Sequence, residues 1–363
     1  MGQIRRNMVV LLLFSVLLGI SGCASETVEQ TDIVKKLGVG WNLGNTLEVN
    51  DSNAYDDISK YEQAWGNPVV TKEFIKKVAD AGFTTIRIPV TWENHLDENG
   101  MIDEEWLARV KEVVDYAIEA DCYAVINAHH DTWYELGSED YSIAEKQMRN
   151  VWGQIGNYFK EYDEHLLFEA MNEPRMFDSV YEWSGGTEGA NKKLNYLNQL
   201  FVDIIREQGG NNKERYLFIP TYSGSNLLEA FESLVVPEDE HIIVSIHAYT
   251  PYNFAMVATE TANWDKENPW DVSDVDMCMK RIRHFFTEKG ISAVITEFGV
   301  MDKDNIDDRT AWTAYFMKKG EEAGITCFWW DGGNSESGKE YRLFDRETGE
   351  IVYPELVDAL IKK

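Results

Sequence analysis

The chain has 363 residues, of which 44% are apolar and 12% aromatic, enough to build and bury one large core, so disorder of its bulk is excluded. Its formal charge of −29, from 34 basic and 63 acidic residues, repels phosphate backbones and anionic surfaces. Nucleic acids and polyanionic glycans such as pectin are poor partners for such a surface, whereas neutral polymers are compatible with it.

The first 22 residues read as a targeting segment. Arg5 and Arg6 form a basic start, and residues 9–20 are an apolar run too short to cross a bilayer comfortably. The run ends in Ile20-Ser21-Gly22-Cys23, which resembles a bacterial lipobox, where the Cys becomes the lipidated first residue. On this pattern the chain divides into a lipoprotein signal peptide (1–22), a short polar tether (23–32) and one folded domain (33–363). The protein is then expected outside the cytoplasm, held to a membrane or cell surface only through a lipid at Cys23. The competing explanation is an ordinary signal peptide that happens to contain Cys23. Cys122, Cys278 and Cys327 are odd in number and form no CxxC pair, so neither a disulfide framework nor a zinc finger is indicated.

From Ile33 onward, short apolar runs alternate with amphipathic stretches. Eight runs read as strands: 38–44, 84–90, 123–129, 166–172, 216–220, 242–247, 293–297 and 325–330. Six stretches between them carry apolar residues at three- and four-residue spacing and read as helices: 72–81, 106–120, 147–160, 191–208, 277–289 and 309–323. Runs that are apolar on both faces, alternating with helices, imply a parallel sheet covered by helices. Eight such units in about 330 residues fit a single α/β domain, a (β/α)8 barrel. No Gly-rich phosphate-binding turn follows any run, so a nucleotide fold has no support.

In such a barrel the active site is built at the C-terminal ends of the strands. The residues found there are Asn42 and Asn45; Arg87; His129 and His130; Asn172 and Glu173; Tyr222; His247 and Tyr249; Glu297; Trp329 and Trp330. Glu173 follows the fourth run and Glu297 ends the seventh. Two such carboxylates suggest glycoside hydrolysis, in which one acid protonates the leaving oxygen and a second group meets the positive charge at the anomeric carbon. A gap of about 5 Å between them would mean retention of configuration, and a wider one inversion.

Several segments carry a family likeness: GWNLGNTLE (40–48), RIPVTW (87–92), NAHH (127–130), FEAMNEP (168–174), SIHAYTPY (245–252), ITEFG (295–299) and FWWDGG (328–333). In this order, over nearly the whole domain, they resemble glycoside hydrolase family 5, cellulase family A. WGNP (65–68) resembles subfamily 4, which holds endoglucanases, xyloglucanases and lichenases. The resemblance implies a retaining, double-displacement endo-β-1,4-glucanase acting on neutral β-glucan without cofactor or metal, and a monomer is expected. It makes Glu173 the acid/base, Glu297 the nucleophile, His129 the inner histidine and Trp330 the sugar platform.

Physical expectations accompany those roles. Arg87, if close, holds the Glu297 carboxyl ionised, and the charge of Glu297 pushes Glu173 up. Tyr249 can donate to Glu297, Asn172 can hold a sugar 2-hydroxyl, and His129 and His247 can add donors. His130 points away from His129 by strand alternation and has a lesser part. Asn42 joins the supporting set from the first strand. Each has a rival role. Arg87 could instead pair with Glu169, which sits in an apolar run. His129, His130 and His247 could be zinc ligands, although neighbours on a strand do not chelate together. Trp329 and Trp330 could be plain core. The substrate could be xyloglucan, mixed-linkage glucan or mannan, or the barrel could be a non-catalytic sugar-binding lipoprotein. The rings after the third, fourth and sixth runs (Trp133, Tyr134, Tyr141; Phe177, Tyr181, Trp183; Tyr252, Phe254, Trp264, Trp270) are expected to divide between sugar contact and loop packing.

Overall fold

The computed structural model describes residues 27–51, 57–336 and 340–362. The signal peptide and Cys23 lie outside these residues. Eight parallel strands close into a barrel in chain order: β1 (Gly40–Leu43), β2 (Thr85–Ile88), β3 (Tyr123–Asn127), β4 (Leu166–Glu169), β5 (Leu217–Pro220), β6 (Ile242–His247), β7 (Ser292–Phe298) and β8 (Thr326–Asp331), with β8 pairing back to β1. All eight expected strands form, and so do the six expected helices.

The helices form where capping and an apolar stripe coincide. Asp103 accepts from the backbone N–H groups of Glu105 and Trp106, and the helix it starts, Glu104–Glu119, buries Trp106, Val110, Val113, Val114 and Ala117 against the sheet. Thr71 and Thr187 cap Lys72–Asp80 and Glu188–Glu207 in the same way. Five helices have no counterpart in the sequence pattern: Asp32–Leu37, Ser59–Gln63, Leu228–Ser233, Tyr252–Met256 and Pro354–Ile361. At five to eight residues they are too short for a helical period to show.

The barrel interior is layered. Its floor is apolar: Val125, Leu167, Phe218, Ile243, Val294 and Phe328 pack on Ile33, Val34 and Leu37 of the first helix, which plugs the bottom. Gly40 leaves room there, since a Cβ at that position would stand 2.1 Å from the Phe328 ring. The plug is preceded by contacts that begin within the supposed tether. Val28 N–H donates to Glu322 O (3.1 Å) and Gln30 Nε2 to Ile325 O (2.7 Å), so residues 28–32 are bound to the barrel base rather than free.

Side chains two residues apart on a strand share a face. Stepping up by two therefore turns the floor into a polar layer: Val125 to Asn127, Leu167 to Glu169, Ile243 to Ser245 and Val294 to Thr296 are all buried pairs. Another step reaches the mouth with His129, His247 and, on β8, Trp330. One irregularity breaks the count. Along β6 and β7, Ile246 pairs with Ile295 but His247 pairs with Glu297, so a bulge at Thr296 turns Glu297 toward the mouth.

Candidate active site

Arg87 is the hub of the mouth. It is fully buried, and its guanidinium makes four hydrogen bonds: Nε to Glu169 Oε2 (2.7 Å), Nη1 to Asn42 Oδ1 (2.9 Å) and Glu297 Oε1 (2.6 Å), and Nη2 to Asn172 Oδ1 (2.8 Å). The two roles weighed for Arg87 are thus one role, since the same fork holds Glu169 and Glu297. Glu169 is further satisfied by Ser245 Oγ (2.5 Å) and Asn127 Nδ2 (3.0 Å), which explains how a carboxylate survives in the barrel interior. Asn42 lies beneath the cleft rather than in it. Its Nδ2 donates to the backbone oxygens of Thr296 (2.9 Å) and Trp329 (3.1 Å), and its oxygen orients Arg87. Asn172 spends its oxygen on Arg87, which leaves its amino group as a donor for a ligand.

Glu297 is held at both oxygens, by Arg87 at Oε1 and by the Tyr249 hydroxyl at Oε2 (3.2 Å). Glu173 bonds His247 Nδ1 through Oε1 (2.8 Å), and Arg175 Nη1 stands 3.5 Å from its Oε2. His247 Nδ1 is also 3.5 Å from Glu297 Oε2. One oxygen of each carboxylate and a ring nitrogen of His247 lie within 4.8 Å of one another. Among the described residues this is the one cluster of potential cation ligands, and neither His129 nor His130 belongs to it.

The titration of this trio differs from the expectation. Burial pushes Glu297 up, against the pull of His247 and Arg87 and with the help of Glu173. Burial also pushes Glu173 up, but His247, Arg175 and His130 outweigh it and leave the carboxyl below its ordinary value. Burial pushes His247 down, and the charges of Glu297 and Glu173 more than restore it. The directions have two causes: Arg87 divides its charge between Glu169 and Glu297, and His247 is the cation nearest Glu173. A proton on the short Nδ1–Oε1 bond can sit on either atom, so the trio titrates as a unit.

His129 is fixed in one tautomer. Asn127 Nδ2 donates to its Nδ1 (3.0 Å), which leaves the proton on Nε2. Burial, followed by His130 and Arg87, keeps it neutral. Its ring lies nearly parallel to Trp330, with centroids 5.8 Å apart at 14°. Trp330 is partly exposed and lines the cleft, and Gly44 makes room for its ring, which a Cβ would meet at 2.8 Å. Trp329 is buried behind the strand with Nε1 bonded to Tyr341 O (2.7 Å). His130 lies edge-on to His129 and 5.7 Å from the Trp65 ring, and burial lowers it to about 4 against the charge of Glu173.

A cavity of about 790 Å³ opens over the two glutamates. Of the loop rings, Trp183 and Tyr252 line it, while Trp133, Tyr134, Phe254 and Trp264 are buried as packing. Trp270 is exposed and outside the lining. Tyr222 is buried, and its hydroxyl accepts from Met176 N–H and donates to Tyr181 O, so it holds the loop rather than the cleft. Sequence reasoning passed over Asn127, Ser245 and Arg175. The first two stood in view, two positions below His129 and His247 on the same strand faces. Arg175, wedged between the rings of Phe177 (4.7 Å) and Trp183 (4.5 Å), gave no signal beyond following Pro174.

Residues 48–336 match the family model Cellulase (glycosyl hydrolase family 5). Endoglucanase A of Clostridium longisporum is 40% identical over 344 residues, which cover 93% of this chain and 66% of that one, a little under two thirds of its length. Endoglucanase A of Ruminococcus albus is 38% identical over 344 residues, covering 92% and 93%. The structure of a glycoside hydrolase family 5 lichenase from Caldicellulosiruptor sp. F32, a mutant in complex with cellotetraose, superposes with a TM-score of 0.88 at 38% identity, covering 92% and 96%. A broad-specificity endoglucanase of subfamily 4 from Ruminococcus champanellensis, with bound cellotriose, superposes with a TM-score of 0.87 at 36% identity, covering 93% and 100%.

Proposed function

This chain belongs to glycosyl hydrolase family 5, the cellulase family, and we propose that it is an endo-acting β-1,4-glucanase that cleaves with retention through Glu297 as nucleophile and Glu173 as acid/base. The observation that carries this is the pair itself: two carboxylates with oxygens within 4.8 Å, each held by a different set of partners. That spacing suits direct attack on the anomeric carbon and leaves no room for a water between Glu297 and the sugar.

The geometry divides the labour. Trp330, backed by His129, offers a flat face to a pyranose ring. Arg87 and Tyr249 fix Glu297 so that one oxygen can form the glycosyl ester as the leaving oxygen takes the proton shared by Glu173 and His247. Glu173, now a carboxylate, then deprotonates the water that cleaves the ester. The Asn172 amino group is placed to hold a sugar hydroxyl beside the reacting carbon.

Glu297→Ala should drop hydrolysis of carboxymethylcellulose by about 10³-fold or more while cello-oligosaccharide binding persists. Glu173→Gln should lose roughly 10²–10⁴-fold on polymer yet spare much of the turnover of an activated aryl glycoside, whose leaving group needs little acid help. Equal losses on both substrates would remove the acid role. Because similar structures are described as a lichenase and as broad-specificity endoglucanases, xyloglucan, lichenan and mannan are the alternatives to cellulose, and a hydrolysis panel over these polymers ranks them. Activity should survive chelation; its loss would revive a metal centre.

The lipobox-like end at Cys23 supports a lipid-anchored protein outside the cytoplasm. Residues 28–37 are bound to the barrel floor, so an anchor there would tether the base and leave the cleft facing outward. Cys23→Ala should then release the protein from membranes.

A further inference from the structure

Arg175 follows Pro174 in the loop after β4, and the backbone around it is pinned to other loops at three successive residues. Pro174 O accepts from Ser223 N–H (2.9 Å), Arg175 O accepts from Leu136 N–H (3.0 Å), and Met176 N–H donates to the Tyr222 hydroxyl (3.1 Å). A backbone fixed on both sides of a residue leaves its side chain few directions to take. The guanidinium is fixed as well. Its Nε donates to Glu182 Oε1 (3.0 Å) and its Nη1 to Glu173 O (2.9 Å), while the rings of Phe177 and Trp183 have their centres 4.7 and 4.5 Å from its Cζ. A flat, weakly hydrated guanidinium stacks on such rings while its edge still donates hydrogen bonds.

These contacts join two features of the cleft. Nη1 stands 3.5 Å from Glu173 Oε2, the carboxylate oxygen that His247 does not hold. Glu173 and Trp183 both line the cavity, and Trp183 is 59% exposed, so its ring is open to a ligand. Arg175 is outside the lining and reaches the cleft only through these two. The leaving sugar lies on the acid's side, because the acid protonates its bridging oxygen. Trp183, tied to Glu173 through one guanidinium, belongs to that side. The charged and titratable groups around Glu173 are His247 on β6, Glu297 on β7, Tyr249 after β6, His130 and Tyr134 after β3, and Arg175. Of these, only Arg175 is a cation at every working pH.

We propose that Arg175 is a positioning residue for the acid step: it fastens Glu173 to the Trp183 side of the cleft, and its fixed charge eases transfer of the proton shared by Glu173 and His247 to the leaving oxygen. This role rests on the glucanase reading. A sugar stacked on Trp183 and the carboxyl that serves its bridging oxygen are then held by the same guanidinium. The sign of the electrostatic part follows from the charge. A cation beside the pair disfavours its protonated state, so the shared proton is given up more easily and is lost at lower pH. Without that cation the proton is bound more tightly, and the pair is a weaker acid that stays protonated to higher pH.

The test is the pH profile of kcat/KM, whose basic limb reports the acid of the free enzyme. It is measured on cellotetraose and on an activated aryl β-cellobioside, in Arg175→Met and Arg175→Lys. Both variants keep an unbranched stem between the two rings, and Arg175→Lys also keeps the charge. A full charge at 3.5 Å, screened as in water, is worth about one pH unit. Arg175→Met should therefore move the basic limb on cellotetraose up by about one unit, and Arg175→Lys by less than about half of that. On the plateau, the ratio of kcat/KM on cellotetraose to that on the aryl glycoside should fall by about tenfold in Arg175→Met, a part of the roughly 10²–10⁴-fold that acid help contributes. Arg175→Gln, which also removes the charge, gives the same reading should Arg175→Met fail to fold. A mere brace for the loop would lower both substrates together and leave the limb in place, which overturns the proposal. So does a limb that moves by less than about 0.3 of a unit without the charge, or equally in Arg175→Met and Arg175→Lys. A wild-type enzyme inert on both substrates would instead remove the glucanase reading, and this role with it.

Discussion

The floor and the mouth of the barrel are built from the same strands, a few residues apart, and are held together by different forces. At the floor, Val125, Leu167, Phe218, Ile243, Val294 and Phe328 close on a helical plug chiefly by apolar burial. Two positions higher, Asn127, Glu169, Ser245 and Thr296 surround Arg87 in a network of charged and neutral hydrogen bonds with no side chain exposed. Apolar packing is tolerant of exchange if volume is kept. A buried ionic network is not, because removing one member strands the charge of another. The mouth gives up some stability to fix the position of Glu297, and the floor supplies the rigidity on which that position rests.

Glu169→Ala should break this contrast most severely. It leaves the Arg87 charge half paired in the interior, so a loss of about 3–5 kcal/mol is expected in urea unfolding. Turnover should collapse as well, because Arg87 would turn away from Glu297. At the floor, Leu167→Ala should cost about 2–5 kcal/mol by leaving a cavity, yet kcat of the folded enzyme should stay near wild type. A catalytic defect there would show that floor and mouth are not separable. Ser245→Ala removes one donor to Glu169 and should cost about 1–3 kcal/mol, with a smaller fall in kcat than Glu169→Ala.

The smallest effect expected is on pH dependence. Burial raises the Glu48 and Asp131 carboxyls to about 7 in the folded protein, though each accepts backbone N–H bonds. The unfolded chain releases these protons near pH 4, so between about pH 4 and 7 the folded state binds more protons than the unfolded one. Stability contributed by these groups is therefore full at the acid end and is lost as pH rises through 7. Glu48→Gln should flatten the difference in unfolding free energy between pH 5 and pH 8. An unaltered slope would place the drift on other groups.

Most of the scaffold was legible in the chain. A run such as Ala124-Val125-Ile126 is apolar on both faces, which only a strand covered on both sides requires, and eight of these between amphipathic helices leave little choice of architecture. The first helix escaped notice because six residues carry less than two turns of periodicity. It was read in part as tether for the same reason: the polar residues before it make their contacts through backbone and through Gln30, which leaves no hydrophobic signature. Arg87 was legible as important, but its two candidate partners looked like alternatives. That a guanidinium has donors enough for both is a matter of geometry at one point in space.

By itself, then, the sequence determined the strand count, the alternation of covered strands and helices, and the placement of Glu173 and Glu297 at strand ends, all of which are local or periodic properties. The tertiary structure alone decided which glutamate feels which cation. His247 sits closer to Glu173 than to Glu297, Arg87 is shared with Glu169, and the bulge at Thr296 swings Glu297 into the mouth. The reason is physical: charge–charge energies depend on distances between strands far apart in the chain, and a one-residue change of register reverses which face a side chain occupies.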